Sequence, residues 1–323
     1  MQSHKPIASL SLDLDNKWSY LKTHGDHGWK SFPSYLDVVV PRILSFLKAR
    51  NLTITFFIVG QDAAMEKNRE ALAAISGAGH EIGNHSFQHE PWLHLYSEEQ
   101  VENEVACAEE HIERATGQRP IGFRGPGFSL SHATLRSLAR RRYLYDATTL
   151  PTFLGPLART YYFMTTKLSV EERRQRKALF GNFREGLRPI RPYRWQVGGS
   201  GLIEIPVTTM PIFKMPIHVS YVLYLNMLAQ VLALSYFRIA LGLCRFTNTQ
   251  PSLLLHPLDF LGSDDIQDLC FFPGMGLPSE KKLEVVSEIL RLLSDEFSLV
   301  TVHQHALQAS QTPSLAVVKP RFS

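Results

Sequence analysis

The sequence predicts an α/β fold built from parallel βαβ units, on three observations. Buried-strand patterns alternate with amphipathic helical ones through residues 7–147. The alternation is interrupted and then resumes at residues 201–207, 251–259 and 297–302. Polar side chains capable of chemistry gather just where the predicted strands end, as they do in barrels whose strand C-termini carry the site.

The first strand, Ile7–Leu14, alternates Leu10, Leu12 and Leu14 with smaller or polar residues and ends in Asp13-Leu14-Asp15-Asn16. Residues 17–33, rich in aromatic residues, Gly and His, read as a loop over that strand end. A helix is expected over residues 34–50 and a β-branched, aromatic strand over 52–59; Asp62 then reads as the cap of a helix running through Ile75. Residues 80–83 form a short strand opening into His85-Ser86-Phe87-Gln88-His89. A capping box, Ser97-Glu98-Glu99-Gln100, starts the next helix. Residues 120–123 form a strand leading to Arg124-Gly125-Pro126-Gly127, Ser131 starts a helix, and residues 143–147 form another strand.

After Pro151 the chain turns basic and aromatic, with many Pro and Gly residues, and reads as an insertion over residues 151–200. Between Arg136 and Arg194 there are 14 Lys and Arg against 4 Asp and Glu, although the net charge of the whole chain is only +4. That asymmetry predicts an anionic partner for the segment, and no nucleic-acid partner is expected. Residues 211–248 form an apolar, helical stretch, interrupted by Asn226, Gln230 and Arg238. Without 18 uninterrupted apolar residues it does not read as a membrane span. It fits a buried helical hairpin or an interfacial helix lying on a bilayer. An apolar strand then delivers His256, an amphipathic helix covers residues 278–293, and a last strand covers 297–302. All 323 residues are expected to form one catalytic domain containing the two unusual segments.

Cys107, Cys244 and Cys270 are too few and too scattered for a disulfide framework, and they fit a reducing compartment. The N-terminal residues show no signal-peptide core, so a cytoplasmic location is expected, peripheral at the inner face of a membrane.

Four strand ends thus offer Asp13 and Asp15, His85 and His89, Arg124, and His256. Two histidines and one carboxylate leave positions on a metal open for water and substrate, as hydrolytic sites require. A second carboxylate can act as base and a separate histidine can protonate a leaving group. Taken singly, the aspartates could be turn residues, Arg124 a salt-bridge partner and His256 a core histidine. Their joint occurrence at strand ends favours a site.

At these residues the sequence resembles the NodB-type polysaccharide deacetylases, carbohydrate esterase family 4. Ser11-Leu12-Asp13-Leu14-Asp15 is similar to their T-F-D-D-G motif in a D-x-D variant, and His85-Ser86-Phe87-Gln88-His89 to H-[ST]-x-x-H. Arg124-Gly125-Pro126-Gly127-Phe128 resembles R-x-P-x-[GY], and Leu254-Leu255-His256 resembles L-x-H. The resemblance implies a deformed (β/α) barrel that removes acyl groups, N-acetyl first among them, from sugars. It implies that Asp15, His85 and His89 hold one divalent ion, that Asp13 is the base tuned by Arg124, and that His256 is the acid. Zn is the expected ion, although the donor set also suits Fe, Co and Ni. The residue inserted between the aspartates leaves open which of them is ligand and which is base. Asp146 and Asp259 are the candidates to orient the site or His256. The expected substrate is an acylated glycan or glycolipid, and anionic-membrane contact is expected through the basic segment, including Arg173, Arg174 and Arg176. A non-catalytic carbohydrate-binding or scaffold protein on the same fold is the alternative. A cyclic-amide hydrolase would need a small closed pocket, against which the long insertion speaks.

Overall fold

The computed structural model describes residues 5–155, 157, 168, 183–199 and 201–322. In chain order the first half comprises β1 (Ile7–Leu14), α1 (Lys17–His24), α2 (Leu36–Lys48), β2 (Thr55–Ile58), α3 (Gly60–Ala64), α4 (Arg69–Gly77), β3 (Glu81–Asn84), α5 (Glu98–Thr116), β4 (Gly122–Phe123), α6 (His132–Arg140) and β5 (Tyr145–Asp146). The second half comprises β6 (Tyr193–Trp195), β7 (Ile203–Glu204), α7 (Val219–Asn226), α8 (Gln230–Phe246), β8 (Ser252–Leu255), α9 (Ser279–Glu296), β9 (Ser298–Val300), α10 (Val302–Ser310) and β10 (Val317–Val318).

β1 is the hub, bonded in parallel to β2, β8 and β9. The sheet runs β10-β6-β7-β5-β4-β3-β2-β1-β8, and of its described pairs only β6 with β7 is antiparallel. Beyond β7 the chain bends back to β8: Thr208 N donates to Ser252 O at 3.0 Å, and Ser252 N donates to Thr208 Oγ1 at 2.7 Å. The sheet is therefore curled round until β7 and β8 meet through a single residue, a barrel closed by two hydrogen bonds instead of a full ladder.

The period-two alternation of β1 divides its side chains between two surroundings. Leu10, Leu12 and Leu14 join the main apolar core with Val39, Ile43 and Leu47 of α2 and Ile289 of α9. Ser9, Ser11 and Asp13 point the other way, into the barrel, where each meets a polar partner. The pairing keeps the strand ends level: Leu14 stands beside Ile58, Ile58 beside Asn84, Asn84 beside Phe123, and Phe123 beside Asp146. The residues that follow, Asp15, His85 and Arg124, therefore leave the sheet at one rim.

Several expectations are corrected. Residues 17–33 are not a loop, because Asn16 accepts from Lys17 N at 2.8 Å and caps α1, whose Trp18 is fully buried. Asp62 caps nothing. It is 1% exposed and accepts from Asn16 Nδ2 at 2.7 Å, Trp18 Nε1 at 2.9 Å and Asn68 Nδ2 at 3.0 Å. The expected helix is accordingly broken into α3, a 3-10 turn and α4. The end of the basic insertion returns to the sheet as β6, which pairs with β7 on one side and β10 on the other. The helical basic run at residues 170–177, with Arg173, Arg174 and Arg176, lies outside the described residues. The apolar stretch is the expected helical hairpin, α7 and α8.

Candidate metal centre and catalytic cleft

On β1, Asp13 and Asp15 stand two residues apart and so share a side, and the structure separates their environments. Asp13 Oδ1 accepts from Arg124 Nη1 at 2.7 Å, and its Oδ2 lies 3.9 Å from His85 Nε2. Asp15 Oδ1 faces both histidines, 2.9 Å from His89 Nε2 and 3.4 Å from His85 Nε2. Its backbone carbonyl is held by the Tyr35 hydroxyl at 2.5 Å.

The two histidines are carried by a loop, not by a helical turn. Asn84 pins its start, donating to Val105 O at 3.0 Å and the Tyr143 hydroxyl at 2.8 Å while accepting from Ser86 N at 2.9 Å. Glu104 of α5 accepts from the backbone N–H groups of Phe87 and Gln88, each at 2.9 Å. Lys22 adds a bond to Gln88 O at 3.1 Å and an ion pair with Glu90 at 2.6 Å. These ties hold Ser86 and His89 in the left-handed region, at φ 59° and 52°, a conformation that side chains other than Gly adopt only when their surroundings impose it.

The Arg124 carbonyl 2.6 Å from His85 Nδ1 can only accept, so that nitrogen carries a proton and Nε2 is the nitrogen left facing Asp15, the one that can serve as a ligand once its own proton is off. Arg124 is fully buried, donating also to Ser11 Oγ at 2.9 Å and Ala147 O at 2.8 Å, with its guanidinium over the Phe57 ring. A Cβ on Gly125 would come within 2.1 Å of Ser129 O, so only glycine permits this tight exit from β4.

Burial alone would raise the Asp15 carboxyl, but the charges of His89 and His85 and hydrogen bonds from both hold it well below the usual carboxylate range. His85 is pushed the opposite way: burial opposes its charge, and Asp13 and Asp15 overcome that and raise it. Asp15, His85 and His89 are also the described residues whose ligand atoms all lie within 4.8 Å of one another. Two imidazole nitrogens and one carboxylate oxygen, with the His85 tautomer set from behind, fit a borderline divalent cation.

His256 enters from β8 and lines the same cleft as Asp15, together with Tyr20, His218, Tyr224 and Asp259. Asp259, one of the two candidate orienting residues, accepts from His256 N at 2.7 Å and from Ser220 Oγ at 2.7 Å. Ser220 Oγ gives its proton to that carboxyl and so accepts from His256 Nδ1, 3.1 Å away, which fixes a proton on Nδ1 and leaves Nε2 as the ring nitrogen that can exchange one. Asp146, the other candidate, turns instead to the buried carboxyl of Glu204. Its Oδ2 has no donor among the described residues, and burial raises both carboxyls, that of Asp146 further because of the charge of Glu204.

Ser220 and His218 were missed in the sequence because they sit at the start of a stretch that otherwise reads as apolar. Two closely spaced polar residues ahead of that run were the available signal. Burial and the nearby His256 lower His218 to about 3, so it is a neutral imidazole in the cleft.

A mixed α/β barrel thus carries a His-His-Asp cluster at its rim, a separately held carboxylate and a histidine lining the same cleft, an arrangement whose donors suit metal-assisted hydrolysis. Residues 26–145 match the family model described as polysaccharide deacetylase. It is 27% identical over 147 residues to a peptidoglycan deacetylase of Helicobacter pylori, covering 43% of this chain and 48% of that one. It is 37% identical over 86 residues to a peptidoglycan-N-acetylglucosamine deacetylase of Bacillus cereus, covering 27% of this chain and 30% of that one. The chain thus spans about half the length of the first relative and less of the second. A solved Mycobacterium smegmatis structure described by the same family name superimposes with TM-score 0.63 at 21% identity, over 100% of this chain and 97% of that one. That likeness shows the fold.

Proposed function

We propose that the protein is a metal-dependent deacylase that removes an acyl group, N-acetyl in the first instance, from a sugar of an acetylated glycan. The observation that carries this reading is the division of labour between the two aspartates: Asp15 faces both histidines, and Asp13 is held by Arg124. Asp15, His85 and His89 would hold a divalent ion, for which we propose Zn, and bound there it would supply Lewis acidity to acidify water and offset charge on the acyl oxygen. Asp13, anchored through Oδ1, takes the proton from water at Oδ2. Arg124 fixes that carboxylate and compensates its burial, since an unpaired charge there would be strongly unfavourable. His256 Nε2 delivers a proton to the departing amine, while Ser220 and Asp259 hold the ring by its other nitrogen. The names of the relatives favour N-acetylglucosamine in a peptidoglycan-like polymer as the first substrate to try.

The test is elemental analysis paired with acetate release from N-acetylglucosamine oligomers. About one ion per chain is expected, with loss of the ion in His85→Ala, His89→Ala and Asp15→Asn. Asp13→Asn should keep the ion and lose roughly two or more orders of magnitude in turnover. An ion lost in Asp13→Asn and kept in Asp15→Asn would exchange the two roles.

A further inference from the structure

Helix α8 has two apolar faces, and among the described residues only one is covered. Ala233, Leu234, Phe237, Ala240, Leu241 and Cys244 pack inward. On the opposite side Val231, Ile239 and Phe246, spaced at helical repeats, are 78%, 59% and 83% exposed. The stripe continues into the turn from α7, where Met227 is 52% and Leu228 77% exposed. Beside it a tight turn closed by Met210 N donating to Met215 O at 2.7 Å is fastened to α8 through the Tyr236 hydroxyl, which donates to Pro216 O. Its tip presents Ile212 and Phe213, 65% and 60% exposed, with the β-branched Ile212 at φ 72°. That conformation is unfavourable for Ile, and its exposed side chain gains little packing to offset it.

We propose that the α7–α8 hairpin and the tip at residues 210–215 form one docking surface, which lies in the plane of a bilayer with anionic headgroups. Three observations choose this occupant. From residue 205 through residue 258 there is no Asp or Glu, and the Lys and Arg present are Lys214, Arg238 and Arg245. Arg238 and Arg245 flank the apolar stripe of α8, about half exposed and only 3.7 and 3.8 Å from Glu288 and Glu296. The 17 residues of α8 reach only about 25 Å, and no described helix is long and apolar enough to cross a membrane, so the surface lies on the bilayer. α7 also lines the catalytic cleft through Ser220, Leu223 and Tyr224 before running into Met227 and Leu228. Docking by this surface brings the cleft beside the headgroup layer, where a membrane-tethered or lipid-linked glycan would be presented.

The experiment is vesicle flotation of the full chain with phosphatidylcholine alone and with added phosphatidylglycerol, at low and high salt. Binding should require phosphatidylglycerol and weaken with salt. Leu228→Glu combined with Val231→Glu should reduce the bound fraction by roughly tenfold or more, and Arg238→Glu with Arg245→Glu should reduce it and flatten the salt dependence. Leu228 and Val231 are exposed, so the apolar double variant should melt like the wild type, and the arginine double variant, which gives up two surface ion pairs, should melt only slightly lower. As an independent readout, the Phe213→Trp variant should show indole emission that moves to the blue when anionic vesicles are added. Wild-type protein left unbound by both vesicle types, binding unchanged in both double variants, or binding of the Phe213→Trp variant without the emission shift would overturn the proposal. So would light scattering that shows a wild-type dimer broken by the apolar variants, which would give the surface to a second copy. Acyl release is read in no arm, so failure of the deacylase reading leaves this test intact.

Discussion

Ser220 shows how one hydroxyl can define the chemistry of its neighbour. Its proton is committed to Asp259, so the oxygen can only accept from His256 Nδ1, and the imidazole is fixed in the tautomer and rotamer that keep Nε2 on the cleft side. On the proposed function, Ser220→Ala should lower turnover about tenfold with little change in KM, because it loosens His256, the proposed acid, and leaves Asp15, His85 and His89 untouched. Ser220→Thr, which restores the hydroxyl, should recover most of the loss. Steady-state kinetics of the pair checks this, and a Ser220→Ala enzyme with wild-type turnover would remove Ser220 from the site. Asp13, Asp15, His85, His89, Arg124 and His256 were legible beforehand because each follows or ends a strand, so its position along the sequence already encodes its place at the rim. Ser220 and Asp259 reach His256 from a helix and a turn. Asp259, three residues beyond His256, was already a candidate to orient it, whereas nothing in local spacing reveals the contact from Ser220.

The elements around the histidine loop explain why the site can be assembled without a helix beneath it. His85 and His89 stand at a spacing that a helical turn would satisfy, yet Asn84, Glu104 and Lys22 take up the loop's polar groups and leave both rings facing Asp15. Glu104→Ala removes the acceptor for two backbone N–H groups and should cost about 1–3 kcal/mol. Because the displaced loop carries two of the three donors, metal affinity should fall about 10–100-fold as well. Chelator competition and thermal unfolding measure the two effects. Unaltered metal retention would show that the loop is shaped by its own backbone. Where an element is long and periodic, as in α2, α5 and α9, pattern and structure agree within a few residues. The misread segments are those governed by distant partners. Asp62 resembles a cap in sequence, but Asn16 and Trp18 draw it inward, and burial raises its carboxyl to about 7. β6 and β10 are short and owe their strand form to pairing, β10 with β6 and β6 in turn with β7.

Across the whole molecule, the alternating first half predicted a parallel barrel, and the sheet follows it. The closure could not be read, since it rests on Thr208 and Ser252, residues with no strand signature between them. The side of β1 that faces away from the main core makes the fold sensitive to acid at a point remote from the metal cluster. Ser9 Oγ lies 2.9 Å from His305 Nδ1, and the ring, fully buried, is the link between β1 and α10. Burial pushes His305 down from 6.5 to about 4. An unfolded chain takes up a proton there as pH falls below about 6.5, whereas the folded chain resists until about 4. The corresponding stability is therefore fully present above 6.5 and is lost as pH falls toward 4. Between about pH 7.5 and about pH 5 this one residue should account for about 2 kcal/mol of lost stability. His305→Asn can keep a hydrogen bond to Ser9 but cannot take up the proton. Its unfolding free energy should be lower than the wild type's near neutrality and should fall less steeply with acid. Urea unfolding of both proteins across that range, with chelator present throughout so that metal release does not contribute to the slope, isolates the difference. Parallel pH slopes would mean that His305 is accommodated in its charged form and that the acid sensitivity arises elsewhere.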